Sequence, residues 1–458
     1  MIDQIRKPYS FLKNYINQGH SRSVNAKKNI LLSLVVKGLT IGVSFLVVPL
    51  TLYYLDTTNY GIWLTLTSFV SWLSFFDIGL GNGLRNRFAE ALSKGDTILA
   101  RRYVSTTYAI LGIIILAVFI VFIFVNPYIN WIFVFNAPPE LAKDLTTVVL
   151  FVFTFFCLQF LLNLIGVILT ADQKTGFKDL LGLIASVLSL IVVYLLSKTT
   201  QSSLLLYGIT FSGSTALVYL IVSIVLFNSS YKMYAPRWKF VSFTFARDLL
   251  NLGVQFFIIQ IVGIVMFSTD NIIISHLFGP AEVGAYNIAF KYFGMCTMAF
   301  SILCAPFWSA YTEAYAKGDF DWIHKINHNL KISWVFLVLA SVILLIISPY
   351  FYSFWIGEKL TIPFVLSLSM FVYVVTINWG AIFVTFINGV GKIRLQLYIS
   401  IIAGVLNIPL SILFAKTFNL GPAGIILATT LCLSYGPILA PIQYKRIISN
   451  TAKGIWNK

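Results

Sequence analysis

Six ionisable side chains stand inside apolar runs or where a run gives way to charge: Lys37, Asp77, Arg85, Arg87, Asp270 and Lys291. A charge within an apolar run is costly to hold and needs a reason. Lys37 with Asp77, and Asp270 with Lys291, put one acid and one base on neighbouring runs in each half of the chain. The lysines suit an anionic head-group, and the acids suit a group that pairs, releases or takes a proton. Two structural ion pairs, or lysines that snorkel, are the alternative. Arg85 and Arg87 present planar forks suited to phosphate oxygens, or else anchor to lipid head-groups. They follow Gly79, Gly81 and Gly83 in FFDIGLGNGLRNRFAEALSKGD, residues 75–96. The three glycines fit a hinge or close helix packing.

The elements that must position these groups follow from composition. Of 458 residues, 58% are hydrophobic and 10% charged, with mean hydropathy +0.86. Soluble domains carry about 25% charged residues, so this chain is an all-α integral membrane protein. Its apolar runs have helix length, about 20 residues, not that of barrel strands. We read twelve, in two lobes of six. Lysine and arginine set the orientation: with the N-terminus cytoplasmic, inner segments hold 26 and outer ones only Lys143, Lys198, Lys359 and Lys416. Both termini are then cytoplasmic. The net charge of +16 is topogenic, which argues against nucleic acid as a partner.

An internal repeat supports the lobes. A shift of 223 residues lays EALSKGD at 90–96 on EAYAKGD at 313–319, and Gly61 on Gly284. With six runs per half, both halves keep one orientation, a parallel repeat. The expected organisation is a basic N-terminal segment (1–29), an N-lobe (30–227), a cytoplasmic linker (228–248), a C-lobe (249–444) and a cytoplasmic tail (445–458). Only the EAxxKGD tail recurs, since Phe300 stands opposite Asp77. Two six-helix lobes around a central cavity are a transporter architecture, and what is special to transport is then expected in the unrepeated part, 77–87.

Other features carry less. Gln159, Asn163, Gln255, Gln260, Asn271, Asn287, Asn378 and Asn407, with Trp63, Trp72 and Trp379, could line a sugar-compatible cavity or bond between helices. Cys157, Cys296, Cys304 and Cys432 lie in apolar runs without CxxC spacing and read as structural. His324 and His328 sit four apart on an expected surface helix, 320–331, with no third metal ligand near. No nucleophile–base pair, metal signature or Walker motif occurs, so no cofactor and no enzyme activity are expected.

The stretch DIGLGNGLRNRFAEALSKGD (77–96) resembles the end of the second helix in bacterial polysaccharide transporters of the Wzx type, the O-antigen and capsule flippases. YGIWLTLTSFVSWLSFFD (60–77) and SHLFGPAEVGAYNIAFKY (275–292) fit the same family. The resemblance implies the multidrug/oligosaccharidyl-lipid/polysaccharide exporter fold. It implies a flippase that carries an undecaprenyl-diphosphate-linked oligosaccharide from the inner to the outer leaflet. Lys37, Arg85, Arg87 and Lys291 would then bind substrate, and Asp77 and Asp270 would couple to H+ or Na+ or form ion pairs. Polymerase and chain-length proteins of the same pathway are implied partners. A cation-coupled drug or metabolite antiporter of the same superfamily is the competing reading. A membrane polymerase or glycosyltransferase fits less well, because the outer loops are short.

Overall fold

Asp56 turns one long apolar stretch into two membrane passes. The computed structural model describes residues 21–72, 79–172, 174–245, 254–304 and 307–457. Its first helix, α1 (Ser21–Ser71), is helical on both sides of Asp56, which alone leaves helical geometry at φ 68°, ψ 176°. The Asp56 carboxylate accepts from the Asn59 amide at 2.9 Å and from Asn59 Nδ2 at 2.8 Å. It thus caps the second arm as an N-cap aspartate does. Eleven helices among the described residues are long and apolar enough to span a bilayer. The break at Asp56 makes the first of them, Val35–Ser71, two passes. The twelve passes read from the sequence are therefore reached with eleven helices.

The remaining helices of the N-terminal half are α2 (Leu80–Ser93), α3 (Thr97–Val125), α4 (Trp131–Phe135), α5 (Ala142–Leu162), α6 (Leu164–Ala171), α7 (Thr175–Thr199) and α8 (Leu204–Asn228). Those of the second half are α9 (Val254–Phe278), α10 (Pro280–Cys304), α11 (Phe307–Lys317), α12 (Phe320–Ile356), α13 (Phe364–Val390), α14 (Arg394–Ile412), α15 (Pro422–Cys432) and α16 (Ala440–Ile448). No strand occurs among the described residues.

The internal repeat extends well beyond its sequence match. Asp56 falls 223 residues before Gly279, and both take positive φ, 68° and 95°. Gly279 reverses the chain between α9 and α10 and hands over to Pro280, whose fixed φ suits a first helical position. Gly95 and Gly318 match in the same way, at φ 70° and 72°. Each is followed by an aspartate that caps the next helix: Asp96 accepts from Leu99 N at 2.8 Å, Asp319 from Trp322 N at 3.1 Å. KGD is thus an elbow of two physical parts, a glycine for the left-handed turn and a carboxylate for the exposed helix amides. Asp96→Ala and Asp319→Ala should each cost about 1 kcal/mol and lower the thermal midpoint of the purified protein to a similar extent. Unchanged midpoints in both would show that the caps do not hold these elbows.

The segment after each lobe's last helix also docks alike. Tyr231 donates to Asp172 at 2.5 Å and accepts from Lys174 at 3.0 Å, while Lys174 pairs with Asp172 at 2.7 Å. In the second half Lys392 bonds Tyr315 at 2.7 Å and also Asn457, and Arg446 lies 4.2 Å over the Trp456 ring. Burial, with Asp172 beside it, pushes the Tyr231 hydroxyl up to about 12.

Two cores result. Leu66, Phe88, Phe135, Ile165, Val193 and Tyr207 belong to one; Ile274, Phe293, Phe300, Tyr311, Phe386 and Ile426 belong to the other. Val48, Leu52 and Tyr60 of α1 are buried in the second core. The surface helix read over 320–331 is not a separate element. It is the first third of α12, because Asp319 caps at 320 and no glycine or proline interrupts before Pro349.

Candidate functional site: the seam between the lobes

The lobes meet along a seam of hydrogen bonds between α1, α9 and α10. Asn287 Nδ2 donates to Asn271 Oδ1 at 2.7 Å and to Val283 O at 2.8 Å. Asn271 Nδ2 donates to Ser68 Oγ at 2.7 Å, and Ser68 donates to Leu64 O at 3.0 Å. The relay runs one way across the lobes and ends on a backbone carbonyl on each side. Ser71 and Ser268 hydroxyls meet at 2.8 Å. Ser71 has one proton, which goes to Ser68 O at 2.6 Å, so Ser268 donates across the seam. In the membrane such groups find no water to replace a lost partner.

The seam tightens toward the end of the bundle that carries Asp56 and Gly279. There Ser275 Oγ donates to Phe135 O at 2.6 Å and Asn136 Nδ2 donates to Ser275 O at 2.7 Å. These bonds seat α4 of the N-lobe on the end of α9. Trp355 Nε1 reaches Phe45 O at 2.6 Å, and its ring stacks on Phe45 at 4.4 Å. Lys359 reaches Leu52 O at 3.4 Å. The repeated glycines allow the approach reciprocally. A Cβ on Gly61 would lie 1.7 Å from Pro280 O, and one on Gly284 would lie 3.3 Å from Tyr60 and Leu360. Among the described residues these cross-lobe contacts of the spanning helices lie between the Asp56–Gly279 end and mid-membrane.

Lys37 and Lys291 stand on α1 and α10, helices that carry the seam. Lys37 stands eleven residues, about three turns, from Val48 on the face of α1 that enters the C-lobe core. Lys291 stands one turn along α10 from Asn287, on the seam face. Both are half-buried. Asp270 is 1% exposed and lies inside the C-lobe. Tyr286 donates to its Oδ2 at 2.8 Å, while Oδ1 is buried without a partner. Asp270 and Lys291 do not pair, which corrects the ion-pair reading: helical phase turns the acid into the lobe and the lysine toward the seam. Asp77 lies outside the described residues.

At the opposite end, Gly79 opens α2 with φ 80°, and Gly81 and Gly83 are helical. Left-handed freedom is therefore used at Gly79. Arg85 is exposed. Arg87 meets Glu90 at 2.9 Å and Lys94 meets it at 2.7 Å. The Lys94 hydrogen bond, then that of Arg87, holds the Glu90 carboxyl below its usual range. Its stabilising contribution is present above the ordinary glutamate value and is lost as pH falls through the depressed one. Carboxyl NMR of Glu90 should give a low midpoint that Lys94→Met raises; an ordinary midpoint in both proteins would remove the pairing.

The sequence reading singled out Asn271 and Asn287 but not Ser68, Ser71, Ser268, Ser275 or Asn136. Serines at i, i+3 spacing inside apolar runs were the available signal, and it is common in membrane helices.

Comparison with known proteins agrees with this geometry. The sequence profile of the family Polysaccharide biosynthesis protein matches residues 26–310, and that of MatE matches 241–413. A Yersinia pseudotuberculosis protein named for O-antigen export is 23% identical over 79% of this chain and 82% of its own length. A Salmonella typhi protein named as an O-antigen transporter is 24% identical over 68% of this chain and 71% of its own. An inward-facing multidrug resistance MATE family transporter of the MOP superfamily superposes with TM-score 0.75 at 14% identity, over 92% of this chain and 98% of that one. The outward-facing conformation of a MATE family transporter gives 0.65 at 15% identity, over 96% and 98%. The two-lobed fold is thus that of MATE transporters, and with 26–310 matched, this multi-pass membrane protein belongs to the polysaccharide biosynthesis protein family.

Proposed function

We propose that this protein is a flippase. It moves an undecaprenyl-diphosphate-linked oligosaccharide, an O-antigen or capsule repeat unit, from the inner to the outer leaflet of the bacterial cytoplasmic membrane. The observation that carries the reading is the seam, which ties the two lobes together toward the Asp56–Gly279 end, with a half-buried lysine on a seam helix of each lobe. Relatives named for O-antigen export supply the substrate class. The lysine and arginine bias orients the sealed end outward. The described state is then the loading state, open where a newly built lipid-linked sugar waits.

Each residue has a task in this reading. Arg85 and Arg87 meet the diphosphate at the mouth, and Lys37 and Lys291 hold it between the lobes. Breaking the seam while closing the mouth exposes the same site to the other side, which is alternating access. Asp270 takes the coupling H+ or Na+ on its open oxygen, and Asp77 is a second candidate. No step makes or breaks a covalent bond, so the protein is a transporter and not an enzyme. Polymerase and chain-length proteins would act on the delivered units.

The buried Asp270 beside the seam also suits a cation-coupled antiporter of small cationic molecules. Deletion separates the two. Without the gene, lipid-linked repeat units should accumulate in the inner leaflet and surface polysaccharide should fall. Normal outward display of the units would sink the flippase reading.

A further inference from the structure

Two arginines that no part of the transport site uses come together where the inter-lobe linker crosses α3. The linker is strapped to the helix by its backbone. Arg101 Nε donates to Ala235 O at 2.9 Å and Arg237 N donates to Ser105 Oγ at 3.1 Å. Ser242 N donates to Thr106 Oγ1 at 3.1 Å. The straps leave the charge unmet. Arg101 Nη2 is buried without a partner, and the guanidinium lies 4.7 Å over the Phe240 ring. Arg237 is the other cation of this strap, its backbone held to Ser105, one turn along α3 from Arg101. Among the described residues neither arginine has a carboxylate partner; the ion pairs there are those of Glu90 and Asp172.

Beside them is a cavity of about 220 Å³ lined by Ser105, Tyr108, Pro236, Arg237 and Trp238. The Tyr108 hydroxyl on its wall is buried and makes no hydrogen bond. Trp238 next to it is 81% exposed, and Phe243 and Met233 are also exposed. Ser105 and Tyr108 lie two to three turns into a 29-residue helix longer than a bilayer core, so the cavity sits at head-group depth. An exposed tryptophan at that depth suits the membrane interface.

We propose that this cavity binds the phosphate of an anionic phospholipid from the leaflet on the linker side. Arg237 and the Tyr108 hydroxyl donate to its oxygens, Arg101 adds positive charge beside the cavity, and Trp238 packs beside its glycerol. Arginines without a carboxylate partner, beside a cavity that one of them lines, suit an anion. The interfacial depth makes a lipid, not a dissolved ion, its source. Bound lipid would hold the linker to the N-lobe.

Native mass spectrometry of the purified full-length protein tests this. Phosphatidylglycerol, phosphatidylcholine of the same chains and tail-free glycerophosphate are added in turn. Phosphatidylglycerol should bind, and the other two should not compete with it. Arg237→Gln, at an exposed position that does not threaten folding, should weaken retention about tenfold, as loss of a charged donor does. Tyr108→Phe, which removes one oxygen, should weaken it less. Equal binding of phosphatidylcholine would make the cavity an apolar crevice, and competition by glycerophosphate would make it a free-anion site. Undiminished phosphatidylglycerol binding to Arg237→Gln would also overturn the proposal.

Discussion

Gly61→Val should abolish export at matched expression while both lobes remain folded. A Cβ at residue 61 would stand 1.7 Å from Pro280 O, with Pro280 Cα and C also within 3.2 Å. These are backbone atoms at the start of α10 in the other lobe, and they cannot rotate away. Overpacking of this kind typically costs 1–3 kcal/mol. Here the relief available is to part the lobes, which would also stretch the Asn271–Ser68 and Ser275–Phe135 bonds. Gly284→Ala is the control. Its Cβ would meet the ring of Tyr60 and the tip of Leu360 at 3.3 Å, and flexible side chains can yield. Spin labels at Asn130 and Lys359 should report a longer distance in Gly61→Val and an unchanged one in Gly284→Ala. Wild-type export by Gly61→Val would show that closure at this end is not part of the cycle.

Neutralising Lys37 and Lys291 is the second large effect. Lys37→Ala and Lys291→Ala should each lower the export rate on the order of tenfold, the loss of one charge-assisted contact to phosphate. Lys37→Arg should retain more export than Lys37→Ala, because charge persists. The double alanine variant should fall below either single one. The two lysines belong to different lobes, so in the proposed reading a shared diphosphate would couple them. If all variants export at the wild-type rate, the lysines snorkel and carry no substrate.

Much of this arrangement could be read before any coordinates. Apolar run lengths gave twelve passes, and EAxxKGD gave the two-fold repeat because its glycine and aspartate have fixed local jobs, a turn and a cap. The equivalence of Asp56 and Gly279 was hidden. Two residue types reach the same positive φ by different means, glycine by lacking a Cβ and aspartate by bonding its own neighbour. The seam was hidden for another reason. Ser68 and Asn271 are 203 residues apart, and nothing local marks which helical serines reach across a lobe. The depth of Asp270 and Lys291 was legible, but helical phase decides pairing, and it turns the two apart. Residues 320–331 looked like a surface helix because they are polar, yet polarity there is only the part of α12 outside the membrane.

The most direct test of the account is translocation by the purified protein in proteoliposomes loaded on one side with a short prenyl-diphosphate-linked glycan. A lectin added outside reads arrival. Wild-type protein should deliver the glycan at a rate well above protein-free vesicles, and the Lys37→Ala/Lys291→Ala protein should not. Delivery no faster than in empty vesicles, or equal delivery by the double variant, would contradict a flippase that holds the diphosphate between its lobes.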